Sequence, residues 1–299
     1  MSKLRCAYVE LLANSDDWSI AEHRGNPVKS VQVNEYLAFT TAEQQKAGVT
    51  VKQAGPILHQ DLCAIIRVMR RQLAASNKPV ERIALVRDIA LFTVAFKTGG
   101  RGGDLTHMMA SNVLRLPEDK GIILNFLFTK TLRDGSKHAC HVAPDRDMPD
   151  ACAVAALEQY GQAMRSCGWK AGQGFLFPEI KTTGDIGQAR GDRAMAPRAM
   201  TARLQKYAQS AGLAERKFTM HSFRVGAAVT RTIAGQDVAA IMASIGWKSK
   251  KMAQRYIGSA VAPAGGRANT LVEAGTTYVD ANEFAASLRA AEFGFFRDA

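Results

Sequence analysis

The chain has no run of 18 or more apolar residues, whereas a membrane-crossing helix needs roughly 20; membrane attachment is not expected. Its opening M-S-K-L-R-C-A-Y-V-E lacks the apolar centre of a secretory signal, so the protein is expected to work inside a cell. Cysteine is sparse and scattered: Cys6, Cys63, Cys140, Cys152 and Cys167 form an odd set with no C-x-x-C pair. That pattern argues against a disulfide framework or a zinc knuckle. H-E-x-x-H, an EF-hand loop and a Cys/His cluster are also missing, and no metal is expected. The glycines around Arg101, in T-G-G-R-G-G-D-L, follow a helical pattern rather than a strand. They match neither G-x-x-x-x-G-K nor the dinucleotide fingerprint, which removes a nucleotide loop from consideration.

What is present is positive charge on a globular composition. Lys and Arg outnumber Asp and Glu by 39 to 27, for a net charge of +12 and a pI of about 9.7. Such a balance points to a polyanionic partner, without choosing among DNA, RNA and anionic lipid. At 299 residues and 47% hydrophobic, the chain can bury a sizeable core in one large or two modest domains.

Apolar spacing predicts a short helix around Val33 to Gln45, then a boundary at V-K-Q-A-G-P. Ile57 to Leu73 reads as an amphipathic helix with Arg67, Arg70 and Arg71 on a basic face. Val80 to Lys97 repeats helical spacing, and Gly99 and Gly100 can supply a left-handed stop, so Arg101 emerges just past a buried helix end. Ile122 to Thr129 and His138 to Val142 flank Asp134-Gly135, a strong hairpin signal. Further helices are predicted over Ala151 to Met164 and Arg198 to Ala211. Thr219 or Ser222 can cap a helix ending at Gly235, Asp237 the next, to Ile245, and Ser249 the one bearing Tyr256. The fold class is mainly α with a small antiparallel β-sheet.

The richest stretch runs from His221 to Tyr256: His221 and Arg224 are three apart, Trp247 follows 23 residues later, and Tyr256 nine after that. Residues three apart on a helix share a face, so His221 and Arg224 would project towards one phosphate. Arg101 and Arg224 offer forks of donors suited to both non-bridging oxygens and to charge building in a transition state. Trp247 is either a core aromatic or an indole N–H donor at the same phosphate. Tyr256 is either a packed ring or a nucleophile whose phenol needs proton removal, with His221 the nearest general base. Lys248, Lys250, Lys251 and Arg255 make its surroundings basic, as a DNA-facing helix or a solvated face.

With Arg101 and with Lys130 in F-T-K-T-L, these residues resemble the pentad-plus-tyrosine signature of the tyrosine recombinases, or phage-type integrases. Their last spacings and the tryptophan lie closest to the Cre-like branch. The resemblance covers roughly residues 55 to 260. It implies a catalytic domain preceded by a short arm, 1–54, or a truncated core-binding region, and followed by a tail, 261–299. It implies a cofactor-free DNA strand transferase with type IB topoisomerase-like chemistry: a site-specific recombinase or integrase of mobile-element origin that cuts and rejoins DNA through a 3′-phosphotyrosyl intermediate. Lys130 matches the family's hairpin lysine, the general acid, with Lys137 as the alternative. Asp104 sits where the family has an acidic residue, either orienting Arg101 or simply starting a helix. Implied partners are double-stranded DNA and further copies of the chain, in a tetramer on two DNA sites, with Ala281 to Phe296 a terminal helix either passed to a neighbouring subunit or packed in cis. The expected location is intracellular and DNA-associated. A second reading is a DNA-binding relic that keeps the fold without recombining, motivated by the short region before residue 55.

Overall fold

The computed structural model describes residues 17–48, 54–127, 138–168, 173–180, 193–250 and 253–254. The chain divides into two compact units, Met1–Gln53 and Ala54–Ala299. In the first, a 3-10 turn at Pro27–Lys29 precedes helix α1 (Val31–Lys46). Asn26 opens that turn by accepting the Val28 amide at 3.0 Å, and Ser30 Oγ accepts the Val33 amide at 3.3 Å. Each satisfies an amide that a helix start leaves without an intrahelical partner.

The second unit is a helical body around one buried helix. Its described elements are α2 (His59–Ala75), α3 (Pro79–Thr98), α4 (Gly102–Thr106), β1 (Val113–Arg115), β2 (Ile122–Phe126), β3 (His138–Val142), α5 (Ala153–Ser166), α6 (Pro197–Ser210), α7 (Met220–Ile233) and α8 (Val238–Ile245). From Ile83 to Thr98 every residue of α3 is buried, because α2, α5 and α7 pack around it. A helix apolar on all sides is a core helix. Its charged residues are accordingly paired. Arg87 donates to Asp88 and, at 2.8 Å, to the Pro178 carbonyl, while Asp88 also accepts from Arg203 and Tyr207 of α6. Lys97 meets Asp145 at 2.7 Å.

The three strands form one antiparallel sheet in the order β1-β2-β3. Ile122, Ile123 and Leu124 of the central strand are wholly buried, and Leu124 pairs with Cys140 and Phe126 with His138. The expected class, mainly α with a small antiparallel sheet, is the one observed. No described helix is long and apolar enough to cross a membrane.

Two joints set up the site. Gly99, at φ 61, caps α3 in the left-handed region and turns the chain towards Arg101. Gly226 lets α7 approach the chain entering α2 so closely that a Cβ there would overlap the Ile57 carbonyl oxygen.

Candidate functional site

Arg101, Asp104, His138, Arg224, Trp247 and Lys248 share a cavity of about 200 Å³. Arg101 is the N-cap of α4, so its side chain leaves the body where α3 has just ended. Asp104 lies in the first turn of α4, favourable for an acid at the positive helix end, and its carboxylate meets Arg101 at 3.6 Å. Asp104 is thus both a first-turn residue of α4 and an ion-pair partner of Arg101.

Arg224 and His221 come from the first turns of α7, whose start is fixed by the Ser222 hydroxyl accepting the Thr219 amide at 3.0 Å. Arg224 is nearly fully buried. Its Nη1 donates to the carbonyls of Gly99 at 2.7 Å and Ile245 at 3.2 Å. These carbonyls belong to the C-terminal ends of α3 and α8, where backbone oxygens lack intrahelical partners and partial negative charge accumulates. Two helix ends therefore grip the guanidinium at the cavity wall. Seven residues on, Arg231 repeats the device by donating to the Lys97 carbonyl at 2.6 Å.

Trp247 follows Gly246, the left-handed cap of α8. It is buried against Ala227, Ala228, Ile241 and Ile245, and its ring lies 5.2 Å from the Arg224 guanidinium carbon. It is thus a core aromatic and a pocket residue at once, holding Arg224 through a cation–π contact. His221 remains accessible to solvent. Desolvation by the adjoining protein, then the positive charges of Arg224 and Arg101, hold its imidazole pKa below the usual histidine value. A neutral imidazole is the form that can take a proton.

Arg67 and Arg71 sit on the exposed side of α2, whereas Arg70 turns back to Asp150, bonding its carbonyl at 3.1 Å and its carboxylate at 3.3 Å. Lys248 and Lys250 are exposed after α8. Lys130, Lys137, Lys251, Arg255, Tyr256 and the segment 281–296 lie outside the described residues. Two described tyrosines elsewhere are poorly suited to nucleophilic work. Tyr160 and Tyr207 are buried, and burial pushes both phenols up, Tyr207 to about 12.

His138 is the pocket residue that sequence reasoning missed. It entered that reading only as the first residue of a strand, and no spacing connects it to Arg224.

A profile of the phage integrase family matches residues 67–262. The integrase/recombinase xerD homolog of Selenomonas ruminantium is 27% identical over 236 residues, 78% of this chain and 62% of the relative. The chain thus spans less than two thirds of that relative's length. Among solved structures, the XerH site-specific recombinase in a post-cleavage complex with palindromic difH substrate aligns with a TM-score of 0.53 at 13% identity, over 72% of this chain and 54% of that one. Its pre-cleavage complex with difH aligns at 0.51 and 13%, over 69% and 51%. At such identity the likeness is one of fold.

Proposed function

Because the chain belongs to the phage integrase family of tyrosine recombinases, we propose that it cuts and rejoins DNA through a 3′-phosphotyrosyl bond to Tyr256. The observation that carries this reading is the convergence of Arg101, Arg224, Trp247 and Lys248 on one small cavity, with His221 within electrostatic reach of both arginines. The arginines grip the non-bridging oxygens of the scissile phosphate and stabilise the charge of the five-coordinate transition state. Trp247 keeps Arg224 in place and supplies an indole N–H at the pocket wall. The Tyr256 oxygen bonds to phosphorus, its proton passes to His221, and the phosphorus bond to the 5′-oxygen breaks as Lys130, or failing it Lys137, protonates the leaving group. A second 5′-hydroxyl reverses these steps on a new strand. One phosphoester replaces another, so no nucleotide need be hydrolysed.

In this reading residues 55–260 form the catalytic domain, 1–54 an arm and 261–299 a tail that joins copies into a tetramer on two DNA sites. Arg67, Arg71, Lys248, Lys250, Lys251 and Arg255 lie along the phosphate backbone, contacts that position without reading sequence. Arg70 joins them only by leaving Asp150. Mobile-element integration or excision is the biological role the family suggests.

The test is incubation with a randomised library of nicked duplexes, without metal or ATP, followed by sequencing of adducts that survive denaturation. Adducts that vanish in Tyr256→Phe support the reading and reveal the target. Adducts persisting in that variant overturn the assignment of the nucleophile. Salt-sensitive duplex binding with no adduct favours a DNA-binding protein that does not recombine.

A further inference from the structure

We infer that His138 is an anion-binding histidine of this pocket, one that takes up a proton as a phosphate enters and joins Arg101 and Arg224 in holding it. The inference rests on the phosphate reading of this pocket and adds a residue to it.

The placement of the ring carries the argument. His138 opens β3 opposite Phe126, whose ring centroid lies 5.8 Å away. On another side it abuts the cap of α8, where a Cβ on Gly246 would come within 3.2 Å of the imidazole. The Cys140 sulfur lies 3.2 Å from Nε2 and donates in turn to the Ser244 carbonyl at 3.5 Å. An imidazole so confined still lines the same cavity as the two arginines. It arrives there from the first residue of β3.

The groups around the ring make its charge depend on what the cavity holds. The charged groups that line the cavity with it are Arg224 from α7, Arg101 from the N-cap of α4, Asp104 from α4 itself and Lys248 from the turn after α8. On its own strand Cys140 remains a thiol, because burial pushes it up to about 12. Burial, and then the charge of Arg224, hold the His138 pKa below the usual histidine value, while the main chain of Ser244 favours the protonated form. A phosphate between the arginines would offset their positive charge and so favour an imidazolium. The Ser244 main chain would then already be placed to receive it. Binding of an anion is thereby linked to proton uptake, and equally, mild acid tightens binding.

The experiment is a histidine NMR pH titration of the full chain with and without inorganic phosphate. The chain has six histidines, so His138→Gln and His221→Gln identify the two resonances by loss. The expected result is that saturating phosphate moves both midpoints to higher pH, and that the His138→Gln protein binds phosphate several-fold more weakly at pH 6 while nearly matching the parent at pH 8. If phosphate moves His221 alone, the pocket takes the anion, the functional reading stands and the inference about His138 is overturned. If it moves neither, both are overturned. A His138→Gln protein that binds with unaltered pH dependence also overturns the inference, while preserved histidine dispersion in its spectrum shows that the variant has folded.

Discussion

Arg224 donates to the Gly99 carbonyl at 2.7 Å, so the guanidinium that faces the cavity is anchored on the last turn of the most buried helix in the described chain. The same nitrogen reaches Ile245 at 3.2 Å, and Trp247 covers the group from one side. One nitrogen of a planar fork meets both carbonyls while the fork carries further N–H groups for a phosphate; a lysine ammonium would have to serve carbonyls and phosphate with the same single nitrogen.

Arg224→Lys is therefore expected to act at two levels. Loss of the paired bonds to the helix ends should cost about 1.5–3 kcal/mol of stability, the range for hydrogen bonds to charged groups, read by urea unfolding. Adduct formation should fall by about 10²–10³, as when one donor of a preorganised anion site is removed. An undiminished adduct rate would show that Arg224 serves the fold alone.

His59, His138 and His221 all have pKa values held below 6.5, with burial as the leading cause in each case. In the unfolded chain they titrate near that value, so on acidification the unfolded state gains protons first. The stability tied to the neutral rings is fully present above about pH 6.5 and is lost as pH falls through the folded-state values. Urea midpoints measured in phosphate-free buffer from pH 7.5 to 5.5 should decline, and the decline should shrink in His138→Gln. A midpoint that rises on acidification would contradict the burial of these rings.

Much of this architecture is written in local signals. Gly99 and Gly235 take positive φ where the sequence placed helix stops, and Asp237 caps α8 by accepting the amides of Ala239 and Ala240 at 2.6 and 3.0 Å. Arg224 was legible because its neighbour His221 shares its helix. Other features depend on tertiary pairing. β1 has three residues and α4 five, too few for either periodicity to register. Arg70 reads as part of a basic face until Asp150, 80 residues later, claims it. His138 reaches the cavity only through its strand register and the packing of α8 on β3, neither of which leaves a trace in spacing.

The buried pair Lys97–Asp145, 2.7 Å apart, ties the end of α3 to the chain leaving β3. Asp145 also accepts the Met148 amide at 3.1 Å. Lys97→Met should destabilise by about 3–5 kcal/mol, because it strands a buried carboxylate. The double variant Lys97→Met, Asp145→Leu should recover part of that loss, since an apolar pair removes the desolvated charge. A double-mutant cycle by urea unfolding measures the coupling. If the double variant is no better than the additive expectation, the pair is not the unit of interaction that its geometry implies.

Gly226 and Gly103 separate packing from helix propensity. Each lies within a helix, Gly226 in α7 and Gly103 in α4. A Cβ on Gly103 meets nothing within 4 Å, whereas one on Gly226 collides with the main chain of Ile57. Backbone cannot step aside as the end of a flexible side chain can, so α7 must move off the entry to α2, carrying Arg224 and His221 with it. Gly226→Ala should lose about 1–3 kcal/mol or more, the cost of overpacking; Gly103→Ala should gain up to about 1 kcal/mol from helix propensity. Thermal unfolding of the two proteins side by side checks the contrast. Because the shift in α7 is geometric, the Gly226→Ala protein should also bind phosphate more weakly at temperatures where it remains folded. Unchanged affinity in the folded variant would mean that the Ile57 contact secures the fold without setting the position of Arg224.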